Sequence, residues 1–230
     1  MSAAWVAIAG RKGGVGKSTA VLCLAAHYRR AGLRVLVVDL DPQASVSAHF
    51  DLQSDGAQLV RVLQGEAVPD AREAGGILAL SGGPQLGTVA AGGGATVDLR
   101  QALAGVPADL VLVDCPPGQP VLDRIAMRAA DVVLVATESH RLAIAGAARL
   151  LQEAQAMCGR CALLLGRVDG RRTLDRAAPS LLASAFGVPV LQLRQDGALS
   201  AALHTGQEPP ATGKAAADAA EVAAWIGGTA

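Results

Sequence analysis

Seven apolar runs of strand length recur along this chain, at residues 5–9, 34–39, 77–81, 110–114, 132–136, 162–166 and 188–193. Val, Ile, Leu and Ala fill consecutive positions in them instead of alternating with polar residues. A strand with one face in water alternates, so strands apolar at neighbouring positions must be covered on both sides. Between the runs, residues 17–30, 97–104, 121–130, 142–157 and 173–186 carry apolar side chains at helical spacing. Strand and helix in alternation specify a mostly parallel sheet with helices on both faces, an α/β fold of three layers. The alanine-rich stretch 214–226 reads as a closing helix. No linker, composition break or internal repeat divides residues 1–230, which are read as a single domain. Aromatic residues are only 2% of the chain, so Ala, Leu and Val must fill the core.

Between the first run and the first helix lies KGGVGKST, residues 12–19. Glycines let a backbone turn with its N–H groups facing one point, and the helix that follows directs its positive end there. That is a cradle for phosphate, formed by Gly13, Gly14, Val15, Gly16, Lys17, Ser18 and Thr19. By role, Lys17 reaches the outer phosphates and the Ser18 hydroxyl ligates Mg²⁺. The ordinary pattern GxxxxGK[ST] would need glycine at position 11, where this chain has Arg11. It has instead a second lysine, Lys12. The string KGGxGK[ST] resembles the deviant Walker A signature of the ParA/MinD class of ATPases, which implies a single-domain P-loop NTPase.

Two further segments agree. VVDLDPQAS places Asp39 and Asp41 at the carboxyl end of the second run, the edge at which parallel sheets bind ligands. In the class it resembles, this DxDPQ element is a switch: Asp41 positions or polarises the attacking water and Asp39 supports the Mg²⁺ shell. DLVLVDCPPG puts Asp114 at the end of the fourth run, resembling the Walker B element DxPP with Cys115 in its variable slot. Ser18 and Asp114 are then the expected Mg²⁺ ligands. The segments VATESHRLAIAGAARLL (135–151), VDGRRT (168–173) and LQLRQDGALSAALHTG (191–206) also resemble that class, the last as the loop and helix near the base. Gly10 and Arg11 stand where the class often has Asn or Gln before the lysine. Gln192 follows Leu191 where it usually has proline, so no base contact is assigned.

The resemblance implies a mechanism. Two ATP-bound protomers form a sandwich in which Lys12 touches the phosphates of the other subunit, so Lys12 and Asp41 are the expected catalytic residues. ATP and Mg²⁺ are the implied cofactors, and the implied enzyme is a slow ATP hydrolase stimulated by a partner. That partner would be a ParB-like or adaptor protein with a basic N-terminal segment. Members of the class ride on DNA or membrane and move a plasmid, a chromosome or a protein organelle such as a carboxysome. Membrane-bound members carry a basic amphipathic C-terminal helix, whereas this tail offers Lys214 against Asp218 and Glu221. The expectation is therefore an ATP-dependent homodimer on nonspecific DNA, cytoplasmic and nucleoid-associated, with no membrane partner. Regulators of polymer synthesis or flagella, and metabolic ATP-dependent enzymes, share the same nucleotide fold. Lys12 and DxDPQ favour the positioning ATPase over them.

Charge is unevenly spread. Residues 141–195 hold eight arginines against three acidic residues, while residues 51–140 hold five basic and eleven acidic ones. This suggests a basic face, with Arg171, Arg172 and Arg176 as candidates for DNA phosphate; arginine-rich solvated helices are the plainer reading. No apolar run approaches the roughly 18 residues of a membrane span. The N-terminus lacks the charged start of a signal peptide, so a cytosolic protein is expected. Cys158 and Cys161 form a CxxC pair with no second pair to complete a zinc site, and are read as thiols without metal.

Overall fold

Strands apolar on both sides receive cover on both sides. The computed structural model describes residues 3–91 and 98–228. Its strands are β1 (Ala4–Ala9), β2 (Val35–Asp39), β3 (Arg72–Ala74), β4 (Ile77–Leu80), β5 (Leu110–Asp114), β6 (Val132–Thr137), β7 (Cys161–Val168) and β8 (Val190–Arg194). They form one sheet in the order β3-β4-β2-β5-β1-β6-β7-β8. All neighbours are parallel except β3, which pairs antiparallel with β4 at the edge.

The helices are α1 (Lys17–Arg30), α2 (Ser45–His49), α3 (Ala57–Leu63), α4 (Leu86–Ala90), α5 (Leu99–Ala102), α6 (Pro120–Ala129), α7 (Arg141–Met157), α8 (Thr173–Phe186), α9 (Gly197–His204) and α10 (Lys214–Gly227). Side chains alternate across a strand, and β1 shows the consequence. Trp5, Ala7 and Ala9 join the core beneath α3 to α8, while Val6 and Ile8 join the core beneath α1, α2, α9 and α10. The three-layer, mostly parallel architecture expected from the apolar runs is what the chain adopts.

The differences are local. The last strand, expected at 188–193, runs Val190–Arg194. Arg194 is drawn into it because its N–H donates to Asp218 Oδ2 at 2.6 Å and its Nε to Asp218 Oδ1 at 2.8 Å, which fastens α10 to β8. β3, α2, α3 and α4 are too short to carry a periodicity, and the sequence reading has no elements there. The expected 97–104 helix is the single turn α5, started by the Asp98 side chain accepting from Arg100 N and Gln101 N. The glycine run 92–94, expected as a loop, and position 97 lie outside the described residues. All four cysteines are free and buried, and no cluster of His, Cys, Asp and Glu able to hold a metal occurs among the described residues. The Cys161 thiol donates to the Cys158 carbonyl at 3.3 Å. No helix among the described residues is long and apolar enough to cross a membrane.

Candidate active site

Four central strands end at one edge of the sheet, and their register gathers the polar residues. Ile8 of β1 and Asp39 of β2 both lie level with Asp114 of β5, and Ala9 lies level with Val135 of β6. The loop from β1 to α1 turns there on two glycines with left-handed backbone, Gly14 (φ 76°) and Gly16 (φ 95°), conformations that L side chains rarely adopt. Val15, between them, is buried, and the loop rests on β7: a Cβ at Gly166 would lie 1.9 Å from the Val15 carbonyl oxygen. Lys17 is buried and its Nζ donates to the Lys12 carbonyl at 3.3 Å. The backbone N–H groups of residues 13–19 donate to no described protein acceptor. They lie where α1 presents its positive end, an arrangement able to take an anion.

Asp114 is fully buried. Its Oδ2 accepts from Ser18 Oγ at 2.6 Å, and its Oδ1 has no hydrogen-bond partner. Burial, and then the charge of neighbouring Asp39, push its carboxyl well above the ordinary range, opposed by Ser18 and Lys17. A buried carboxylate with an orphaned oxygen next to a serine hydroxyl fits a small divalent cation, which would satisfy the oxygen and relieve the repulsion.

Asp39 is committed differently. Its Oδ1 accepts from Asp41 N at 3.0 Å, and its Oδ2 accepts from Ser47 N at 2.9 Å and Ser47 Oγ at 2.7 Å. Ser47 Oγ in turn accepts from Gly82 N at 2.9 Å. Asp39 thus shapes the switch segment and the start of α2, with burial raising its pKa against these bonds. The turn leaves Ala44 with φ 53°, an uncommon value for a residue with a side chain, and such strain tends to cluster at working sites. Asp41 is buried at the wall of the cleft, its Oδ1 accepting from Gln43 N at 2.8 Å.

The cleft has a volume of about 1180 Å³, ample for a nucleotide. The loop between β1 and α1 and Asp41 line it, as do Asp169, Arg194, Asp196, Leu199 and Lys214. The structure therefore brings the segments VDGRRT and LQLRQDGALSAALHTG to the same opening as the P-loop. Arg167, also in the wall, escaped the sequence reading. It has φ 55° at a register shift between β7 and β8, and its Nη1 donates to the Gly14 carbonyl at 3.4 Å. Nothing in its sequence neighbourhood signals this.

Lys12 is half exposed. Its Nζ donates to Glu138 Oε2 at 3.0 Å and lies 3.1 Å from His140 Nε2. Arg11 turns the other way, its Nη2 2.5 Å from Glu153 Oε1 and its Nη1 3.7 Å from Asp123 Oδ2. Asp123 is fully buried with neither oxygen hydrogen-bonded, and burial raises its pKa to about 7 despite Arg11. His140, Asp123 and Gly166 are residues around this loop that sequence reasoning did not single out, and Glu138 is the acidic residue that precedes the helix in the segment 135–151.

Arg171, Arg172 and Arg176 lie together, exposed, at the start of α8. Arg171 grips Asp169 through Nε (3.0 Å) and Nη2 (2.8 Å), and these bonds hold the Asp169 carboxyl down at about 2. Arg176 Nη1 donates to the Gly170 carbonyl at 3.1 Å. Two of the other arginines in the basic stretch are structural. Arg194 holds Asp218, and Arg160 stacks on Trp225 at 4.8 Å. The excess of arginine is thus only partly a surface charge.

Residues 6–209 match the family model described as the CobQ/CobB/MinD/ParA nucleotide binding domain. The chain is 36% identical over 194 residues to the chromosome-partitioning ATPase Soj of Thermus thermophilus, a stretch covering 80% of this chain and 78% of that one. It is 35% identical over 168 residues to the chromosome partitioning protein ParA of Caulobacter vibrioides, covering 67% of this chain and 63% of that protein. Among solved structures, cobyrinic acid a,c-diamide synthase of Mycobacterium smegmatis with bound ATP analog and magnesium superposes with a TM-score of 0.79. The two are 25% identical, with 99% of this chain and 97% of that one covered.

Proposed function

The chain belongs to the CobQ/CobB/MinD/ParA nucleotide-binding family as a ParA-like ATPase, and from that premise we propose that two ATP-bound copies pair and ride on DNA to position a cargo. The observation that carries this reading is Lys12. Lys17 already serves the loop from within, so the half-exposed Lys12 is placed to work outside its own phosphate cradle. In the paired state Lys12 adds positive charge to the partner's phosphates, where charge accumulates during phosphoryl transfer.

Within one chain the roles divide as follows. The N–H groups of residues 13–19 and Lys17 bind and orient the phosphates. Asp41 holds the attacking water through its free Oδ2, its other oxygen being fixed by Gln43. Ser18 and Asp114 would hold Mg²⁺, which when bound neutralises phosphate charge. Asp39 supports that shell indirectly, by shaping the segment that carries Asp41. Hydrolysis removes the γ-phosphate and dissolves the pair, so the protein behaves as a timer that a partner protein with a basic segment accelerates. Arg171, Arg172 and Arg176 contact DNA phosphate without reading sequence, which places the protein on the nucleoid.

The test is retention of the protein on DNA of unrelated sequences with Mg-ATP, Mg-ADP or no nucleotide, at several salt concentrations. Retention should require ATP, fall steeply with salt and be lost in Lys12→Ala and in Arg172→Ala/Arg176→Ala. Retention indifferent to nucleotide, or none while ATP still binds, would refute it. The ATP-dependent small-molecule enzymes of the family would then be the better reading.

A further inference from the structure

Lys12 is held by its own chain, and the residues that hold it sit on a different element. Glu138 follows β6, its side chain is only 20% exposed, and its Oε2 accepts from Lys12 Nζ at 3.0 Å. Burial alone would raise this carboxyl, but the bonds from Lys12 and His140 outweigh it and hold it below the ordinary range. His140 begins α7 with its Nδ1 accepting from Ala143 N at 3.3 Å, so its proton sits on Nε2. That Nε2 donates to Glu138 Oε2 at 2.9 Å and has no lone pair left for Lys12, 3.1 Å away. His140 therefore aims the carboxylate, and the carboxylate holds the lysine. Ser139, between them, donates to the buried Asp175 of α8, which pins this loop in place. Glu138 is the only carboxylate partner of Lys12 among the described residues.

We propose that Glu138, aimed by His140, is a positioning residue for Lys12: it parks the ammonium within its own chain and sets a threshold that a partner's phosphates must exceed. The inference rests on the pairing read from Lys12 above. Two such contacts break for every dimer formed. A triphosphate carries more negative charge than a single carboxylate and can win the ammonium; a diphosphate, with less charge, competes less well. The parked lysine thus raises the dimer Kd by up to the same factor with either nucleotide and keeps unpaired copies apart. A half-exposed ion pair of this kind is worth roughly a two- to fivefold bias per lysine.

The experiment compares wild type, Glu138→Gln and His140→Asn, the last retaining a side chain able to start α7. The acetylation rate of Lys12 by acetic anhydride is read by mass spectrometry without nucleotide, and the dimer Kd with Mg-ATP or Mg-ADP by sedimentation. Glu138→Gln should raise Lys12 acetylation about two- to fivefold and tighten the ATP dimer by roughly four- to twenty-five-fold, with the ADP dimer tightened by no more than that. His140→Asn should move Lys12 acetylation and the ATP-dimer Kd in the same directions by less. A purely structural role would leave Lys12 acetylation unchanged, and that result overturns the proposal. Unchanged or weaker pairing of Glu138→Gln, in a protein whose wild type pairs and whose Lys12→Ala does not, overturns it as well. A wild type that stays monomeric with Mg-ATP would overturn the pairing reading itself, and the acetylation ratio alone would then decide whether Glu138 holds Lys12.

Discussion

Gly166→Ala should cripple nucleotide binding through a residue that never touches the nucleotide. Gly166 lies in β7, level with Leu193 of β8, and its missing Cβ is the space into which the P-loop is pressed. A Cβ there would sit 1.9 Å from the Val15 carbonyl oxygen, against a shortest tolerable approach of 3.0 Å, so the loop must retreat by about 1.1 Å. Val15 is flanked by Gly14 and Gly16, whose N–H groups belong to the phosphate cradle, so the retreat moves the donors themselves. Hydrogen bonds to a charged group are each worth about 1.5–3 kcal/mol. Losing two would cost roughly 3–6 kcal/mol, a rise in ATP Kd of at least about 100-fold. Overpacking alone should cost about 1–3 kcal/mol of stability. Gly170→Ala is the control: it lies just beyond β7, where a Cβ meets nothing within 4 Å. Titration with a fluorescent ATP analogue, with a thermal melt of each variant, reads both quantities. If Gly166→Ala bound nucleotide within threefold of wild type, the loop would not depend on that contact and the packing argument would be wrong.

Two other outcomes follow from the buried carboxyls. The native state keeps the Asp123 proton up to about pH 7, whereas an unperturbed carboxyl releases it near 3.8, so stability falls as pH rises through that window and levels off above it. Between pH 5.5 and 8 the loss is about 2 kcal/mol; Asp123→Asn, which cannot ionise, should melt above wild type at pH 5.5 and further above it, by about 2 kcal/mol more, at pH 8, and parallel pH profiles would mean the carboxyl is ionised throughout. Asp114→Asn should act in opposite senses on stability and binding: relieved of a buried carboxyl that ionises more readily in the unfolded chain, the protein should gain on the order of 1–3 kcal/mol in EDTA. The same variant should lose at least about tenfold of the tightening that Mg²⁺ gives to ATP binding, measured by titration calorimetry, and an intact Mg²⁺ effect would remove Asp114 from the metal shell.

Much of the fold was legible because its signals are local. Consecutive apolar residues in β1, β2, β5, β6 and β7 could only mean strands covered twice, and α1, α7, α8 and α10 run long enough to show a helical period. The turns of α2 to α5 were not legible as helices in their own right, or not at their true length. α2 exists because Asp39, eight positions before Ser47, reaches forward to accept its N–H and hydroxyl. Arg194 joins β8 because Asp218 in α10 pulls it there. Both are contacts between elements, and no window of sequence contains them.

For the site, the order of residues alone determined the loop between β1 and α1 as the candidate phosphate cradle, because glycines, lysine and hydroxyl must follow a strand and precede a helix for the backbone N–H groups to converge. It also placed Asp39, Asp41 and Asp114 at one edge, because Asp39 and Asp114 each end a strand of a parallel sheet and Asp41 follows Asp39 by two residues. Only the tertiary structure decided which oxygens remain open. Asp39 spends both of its oxygens on the switch segment, while Asp114 keeps one unpartnered and buried. It likewise decided that Lys12 meets Glu138, 126 positions away, that Arg11 turns aside to Asp123 and Glu153, and that Gly166 yields its space to Val15. A motif states which groups are present along a few residues of backbone. Burial, competition for hydrogen bonds and the charge of distant neighbours are set by packing, and these fix what each group is free to do.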